Sequence, residues 1–129
     1  AVQAREALAA EGIAARVVSM PSVEWFNRQD AEYRESVLPH STKARVSVEA
    51  GIAQGWREFV GDDGRMVSLE HFGASADYKT LFNEFGITAD AVAQAARDSL
   101  AAVHGHDAAP AGTPAAPSGA GSTETGDQK

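Results

Sequence analysis

The chain has 129 residues, 43% of them hydrophobic, no cysteine and a formal charge of −7. That length suits one domain with a core, and the cysteine count excludes a disulfide framework, a thiolate metal site and a cysteine nucleophile. An acidic balance without a basic stripe argues against a nucleic-acid partner, and no run of about 18 apolar residues is present to span a membrane. The lack of cysteine fits a reducing compartment, so a cytoplasmic location is expected.

Ala1 heads neither a basic-then-apolar leader nor a strand. Ala1 to Glu11 is a run of strong helix formers, predicted helical and stopped by Gly12. An α/β unit normally places a strand before such a helix, so the chain reads as a fragment or a trimmed piece lacking its first strand. Ala15 to Ser19 is predicted as a strand ended by Pro21, which supplies no ladder donor. Ser22 is a cap for a short turn through Asn27, with Glu24 favourable in its first turn. Asp30 caps a second helix, Ala31 to Leu38, closed by Pro39.

Lys43 to Gly61 is the expected centre of the fold. Arg45 to Val48 is short and β-branched, as in a strand buried within a sheet. Ile52, Trp56, Phe59 and Val60 recur at helical spacing, which predicts one amphipathic helix capped by Gly61, with Trp56 as its core anchor. Asp62-Asp63-Gly64 is a turn, and Arg65 to Leu69 another strand. The loop His71 to Ser75 leads to a helix from about Asp77 to Phe85, with pairs Tyr78–Phe82 and Leu81–Phe85, ended by Gly86. Thr88 caps a last helix through about Val103, whose inward stripe is Val92, Ala96, Ser99 and Val103.

From Gly105 the composition turns to Ala, Gly, Pro, Ser and Thr, with Pro110, Pro114 and Pro117 and no large apolar residue. Such a tail has too little apolar surface to offset its ordering entropy. The expected division is a folded domain over 1–103 and a disordered tail over 104–129.

Candidate chemistry is sparse. His104, His106 and Asp107 could hold a metal weakly, but lie at the mouth of the tail and read as incidental. His40 and His71 are lone loop histidines without a nucleophile at recognisable spacing. Glu49 follows a strand, where α/β proteins place ligand groups, although capping or pairing with an arginine is its more ordinary use. Trp25, Phe26, Trp56 and Tyr78 read as core or partner-surface residues. Gly51-Ile52-Ala53-Gln54-Gly55 lacks the spacing of a phosphate-binding loop.

Three ordered segments together resemble the C-terminal domain of transketolases. They are Ala15-Arg16-Val17-Val18-Ser19-Met20-Pro21-Ser22 with Phe26 and Gln29 to Pro39; Ala44 to Ile52 with Trp56; and Phe72 to Ala76 followed by Leu81 to Thr88. The resemblance runs nearly colinearly from Ala1 to about Leu100. It implies a three-layer α/β/α domain with a mostly parallel, mixed sheet whose first strand is missing here. It also implies a longer enzyme that moves a two-carbon ketol unit from a ketose phosphate to an aldose phosphate, in the pentose phosphate pathway. That enzyme uses thiamine diphosphate and a divalent metal, magnesium or calcium, and is a homodimer. Because the resemblance assigns the cofactor and sugar phosphates to preceding domains, no catalytic, cofactor-binding or metal-binding residue falls on this chain. The piece alone is expected to be structural, dimer-supporting and inactive. Gly61-Asp62-Asp63-Gly64 misses the Gly-Asp-Gly of a thiamine diphosphate motif by one residue and reads as a turn. The rival reading is a free-standing binding or regulatory module with a ligand near Glu49 or the His71–Ser75 loop.

Overall fold

A computed structural model describes residues 1–71 and 73–108, except the side chains of residues 107 and 108. The elements in order are α1 (Val2–Ala10), α2 (Val23–Asn27), α3 (Ala31–Val37), β1 (Val46–Val48), a 3-10 turn (Ala53–Trp56), α4 (Arg57–Val60), β2 (Arg65–Val67), α5 (Tyr78–Glu84) and α6 (Ala89–Ala108).

Local chemistry sets the helix ends. Side chains of Ser22, Asp30 and Asp77 accept from the backbone N–H of Trp25, Tyr33 and Thr80, while the Thr88 hydroxyl accepts from Ala91 at 3.1 Å. These bonds satisfy first-turn donors that have no partner within the helix. The Thr80 hydroxyl also donates to Asp77, which does most to hold that carboxylate below its ordinary range. Gly12, Gly61 and Gly86 all have positive φ. Gly64 is constrained by space: a β-carbon there would sit 2.4 Å from the carbonyl oxygen of Val60.

β1 and β2 run parallel, with Val46 opposite Arg65 and Val48 opposite Val67. The pairing continues beyond them through Glu49 N–H to Val67 O at 3.0 Å and Leu69 N–H to Gly51 O at 2.8 Å. Ala4 and Leu8 of α1 meet Val92 and Ala93 of α6 in a buried cluster, against which Ile13, Val46, Val48, Val67 and Ala96 pack. Ser99 of α6 is fully buried. Its hydroxyl accepts from Arg45 N–H at 3.1 Å and donates to Asp63 O at 2.7 Å, tying the helix to the entries of both strands.

The Arg97 guanidinium grips Glu11 with two bonds of 2.9 and 2.7 Å and fastens the end of α1 to α6. That hydrogen bond is the main reason the Glu11 carboxyl sits below its ordinary 4.5, against an opposing effect of desolvation. A carboxyl depressed on folding contributes stability above its unfolded-state value and loses it as pH falls through the folded value. Glu11→Gln should therefore lower the thermal midpoint at neutral pH. Thermal scans from about pH 7 to about pH 3 should show the gap to the parent closing in acid; a constant gap would mean that the side chain acts through packing.

Three expectations change. Ala15–Ser19 forms no ladder: residues 13–20 carry no regular element, and β1 lies across a cleft from them. A strand needs a neighbour about 4.8 Å away, and no described residue occupies that place. The helix expected over Ile52–Val60 is a 3-10 turn followed by one α turn. Ile52 precedes it in extended conformation and is 61% exposed. Gly55 and the tight Ala53–Trp56 turn break the apolar stripe, so Phe59 and Val60 are buried while Trp56 is half-buried. Finally, α6 runs to Ala108, past the expected stop at Val103. From Ala109 onward the expected tail lies outside the described residues.

Candidate functional site

Open α/β sheets place ligands beyond the carboxyl ends of their strands. Here that edge carries Glu49, Glu70 and His71. Glu49 is half-buried, and its side chain lies against Gly51, whose β-carbon position is 3.5 Å from Glu49 Cγ. Glu70, which sequence reasoning missed, accepts from Ala53 N–H at 3.0 Å and from the Ser68 hydroxyl at 3.2 Å, so it ties down the 3-10 turn. The His71 ring packs edge-on to Phe85 with centroids 4.6 Å apart. Gly73, Ala74 and Ser75 are exposed, and Phe72 is outside the described residues. These groups do not form a nucleophile–base pair.

The remaining histidines serve locally. His40 contacts the Glu35 carboxylate through its ring, and its N–H donates to the same side chain at 3.0 Å. The ring contact is the chief cause of a Glu35 carboxyl held below its usual range. His106 Nδ1 lies 3.1 Å from Asp63 Oδ1, whereas His104, two residues back on the helix, belongs to a different face. His40, Lys43, Arg45, Asp62, Asp63 and His106 help line a cavity of about 460 Å³ that carries charges of both signs. Among the described residues no group of three or more His, Cys, Asp or Glu is placed to hold a metal ion.

Arginines do structural work that the sequence did not reveal. Arg45 donates to the carbonyls of Thr42, Phe59, Leu38 and Pro39, over 2.6–3.3 Å, and so joins the end of α3, the following loop and α4. Arg16 donates to Ser36 O at 3.1 Å and Val37 O at 2.7 Å, which holds residues 13–20 against the end of α3. A cation beside helix C-terminal carbonyls satisfies their unpaired lone pairs. The only sequence cue was a guanidinium beside a strand or loop, and its partners are carbonyls up to 21 residues away.

A cleft of about 760 Å³ opens between residues 14–20 and β1. Leu8, Val92 and Ala96 line it from the α1–α6 cluster, and Phe59 and Trp56 from a separate aromatic group that includes Phe26. Ser47 lines it as well, 7% exposed, with a hydroxyl that lacks a hydrogen-bond partner.

Residues 1–88 match the family described as Transketolase-like TK C-terminal domain. The chain belongs to that family. It is 59% identical over 100 residues to the transketolase of Mycobacterium tuberculosis, covering 78% of this chain and 14% of the relative. To transketolase 1 of Escherichia coli it is 55% identical over 100 residues, with 78% and 15% covered. Among solved structures, Leishmania mexicana transketolase superposes with a TM-score of 0.70 at 39% identity, over 80% of this chain and 14% of that one. A Pichia stipitis transketolase in complex with sedoheptulose 7-phosphate gives 0.72 at 35% identity, over 81% and 15%. The chain thus spans about one seventh of the length of these curated relatives. Helices about a small parallel sheet agree with the α/β transketolase C-terminal fold. No described helix is long and apolar enough to cross a membrane.

Proposed function

We propose that this chain is the C-terminal domain of a longer transketolase that transfers a two-carbon ketol unit from a ketose phosphate to an aldose phosphate. The observation that carries the reading is the 59% identity sustained over 100 residues of a transketolase. In this reading thiamine diphosphate, a divalent metal and the sugar phosphates bind elsewhere in the longer protein, as the family resemblance implies. The domain's own work is structural: it packs against the remaining domains and supports a homodimer. Trp25, Tyr33, Tyr78 and Phe82 are each at least 41% exposed and suit such covered surfaces. The enzyme acts in the cytoplasm, in the pentose phosphate pathway. The folded part of this chain reaches through α6, and the Ala/Gly/Pro/Ser/Thr-rich residues after it are expected to be dispensable on grounds of composition.

Calorimetric titration of the 129-residue chain with thiamine diphosphate and magnesium should give no saturable heat. The full-length protein should bind the cofactor and consume a ketose phosphate only when an aldose phosphate is present. Micromolar binding to the chain alone would place a cofactor site on it. A full-length protein inert toward the sugar pair would overturn the assignment.

A further inference from the structure

We propose that His106 and Asp63 form a proton-dependent latch at the end of α6. With the imidazole charged, the pair holds the last helical turn against the turn at Asp62–Gly64. Without that proton the helix frays back toward Val103. The two groups are 3.1 Å apart, Nδ1 to Oδ1, and only the protonated ring makes the contact an ion pair. Imidazole is the side chain whose ordinary charge change falls between about pH 5 and 8, so a modest change of pH can tighten or loosen this contact.

The Asp63 end is fixed before the latch closes. Its carbonyl oxygen accepts from the Ser99 hydroxyl at 2.7 Å and from the Arg65 guanidinium at 3.0 Å, and the same guanidinium donates to Gly64 O at 2.9 Å. The Asp63 side chain is 19% exposed and that of His106 74%. One partner is thus placed in advance, and mainly the imidazole loses freedom when the pair forms. His106 follows Ser99 by seven residues, two turns along the same helical face. α6 therefore meets Asp63 twice, at the backbone through Ser99 and at the carboxylate through His106.

The turn it holds has little else to keep it. Among the described side chains of α6, Val103 is the last that is half-buried, and His104, Gly105 and His106 are exposed. Gly105 disfavours the helix. A charged imidazole in the last turn also complements the negative end of the helix dipole. Linkage fixes the sign: an ion pair that needs the imidazole proton is tighter in mild acid and loosens as pH rises. The other charged groups on the cavity beside the pair are His40, Lys43, Arg45, Glu58 and Asp62. His40 is engaged with Glu35, Arg45 with backbone carbonyls, and Asp62 lies 3.9 Å from Arg57. Glu58 and Asp62 favour the charged ring, and Lys43 opposes it.

Cα chemical shifts of residues 104–108 in the 129-residue chain, recorded from about pH 8 to about pH 5, test the latch. The ratio of helical to frayed chain there should rise about two- to fivefold as the pH falls, the range an exposed ion pair supports. His106→Gln should remove that rise. Asp63→Ser, which deletes the carboxylate but keeps a turn-forming residue, should remove most of it, whereas His104→Gln should retain it. A rise that persists in Asp63→Ser would overturn the proposal, because the charge would then act on the helix dipole alone. Loss of the rise in His104→Gln but not in His106→Gln, or a flat profile in the parent, would overturn it as well. The parent also supplies a test without substitution: about 1 M salt should flatten the rise, and a rise indifferent to salt would refute an ion pair.

Discussion

Phe59→Ala should cost about 3–5 kcal/mol, the usual range for removing a buried aromatic side chain. Phe59 is 9% exposed, with Phe26 and Trp56 at centroid distances of 6.0 and 5.9 Å. Few side chains share its burden: the buried hydrophobic residues among those described are Ala4, Leu8, Phe59, Val60, Val92 and Ala93. Against a typical total of about 5–15 kcal/mol, this loss should leave the chain largely unfolded at 37 °C or lower its midpoint by more than about 12 °C. Trp56→Ala should cost less, because the indole is only half-buried beside the open cleft. Trp25→Ala, at a residue 71% exposed, should stay within about 0.5 kcal/mol of the parent. Denaturant unfolding followed by circular dichroism ranks the three. If Phe59→Ala and Trp25→Ala proved alike, the aromatic group would not be a core.

Ser99→Ala should cost about 1–3 kcal/mol, well beyond the worth of one exposed hydroxyl. The substitution leaves Arg45 N–H and Asp63 O without their side-chain partner, around a Ser99 side chain that is itself fully buried. The position also has a local readout. The Arg45 amide should exchange faster in Ser99→Ala, while amides of α1 should change only with global stability. An unchanged Arg45 amide would mean that another acceptor takes over the bond.

Trp56 and residues 15–19 departed from expectation together. Both border the same opening. Apolar residues that line an opening look like core in the sequence, because an apolar pattern does not say whether a neighbour covers it. Beside it Val17 is 38% exposed and Trp56 half-buried.

Local chemistry was legible in the sequence. Ser22, Asp30, Asp77 and Thr88 begin helices, and Gly12, Gly61 and Gly86 end them, because capping and positive φ depend on a few adjacent residues. The Val46–Val48 strand, the turn at Asp62–Gly64 and the inward stripe of α6 through Val92 and Ser99 were legible for the same reason of short-range pattern. Family membership was legible too, since three motifs in fixed order carry far more information than any single one. The sequence alone did not determine whether Ala15–Ser19 would pair, because a ladder is a property of two segments. Nor could it place Arg16, Arg45 and Ser99, whose partners are backbone atoms up to 54 residues distant. Backbone carbonyls look the same at every position in a sequence, so only the tertiary structure decides which of them a guanidinium or a hydroxyl will meet.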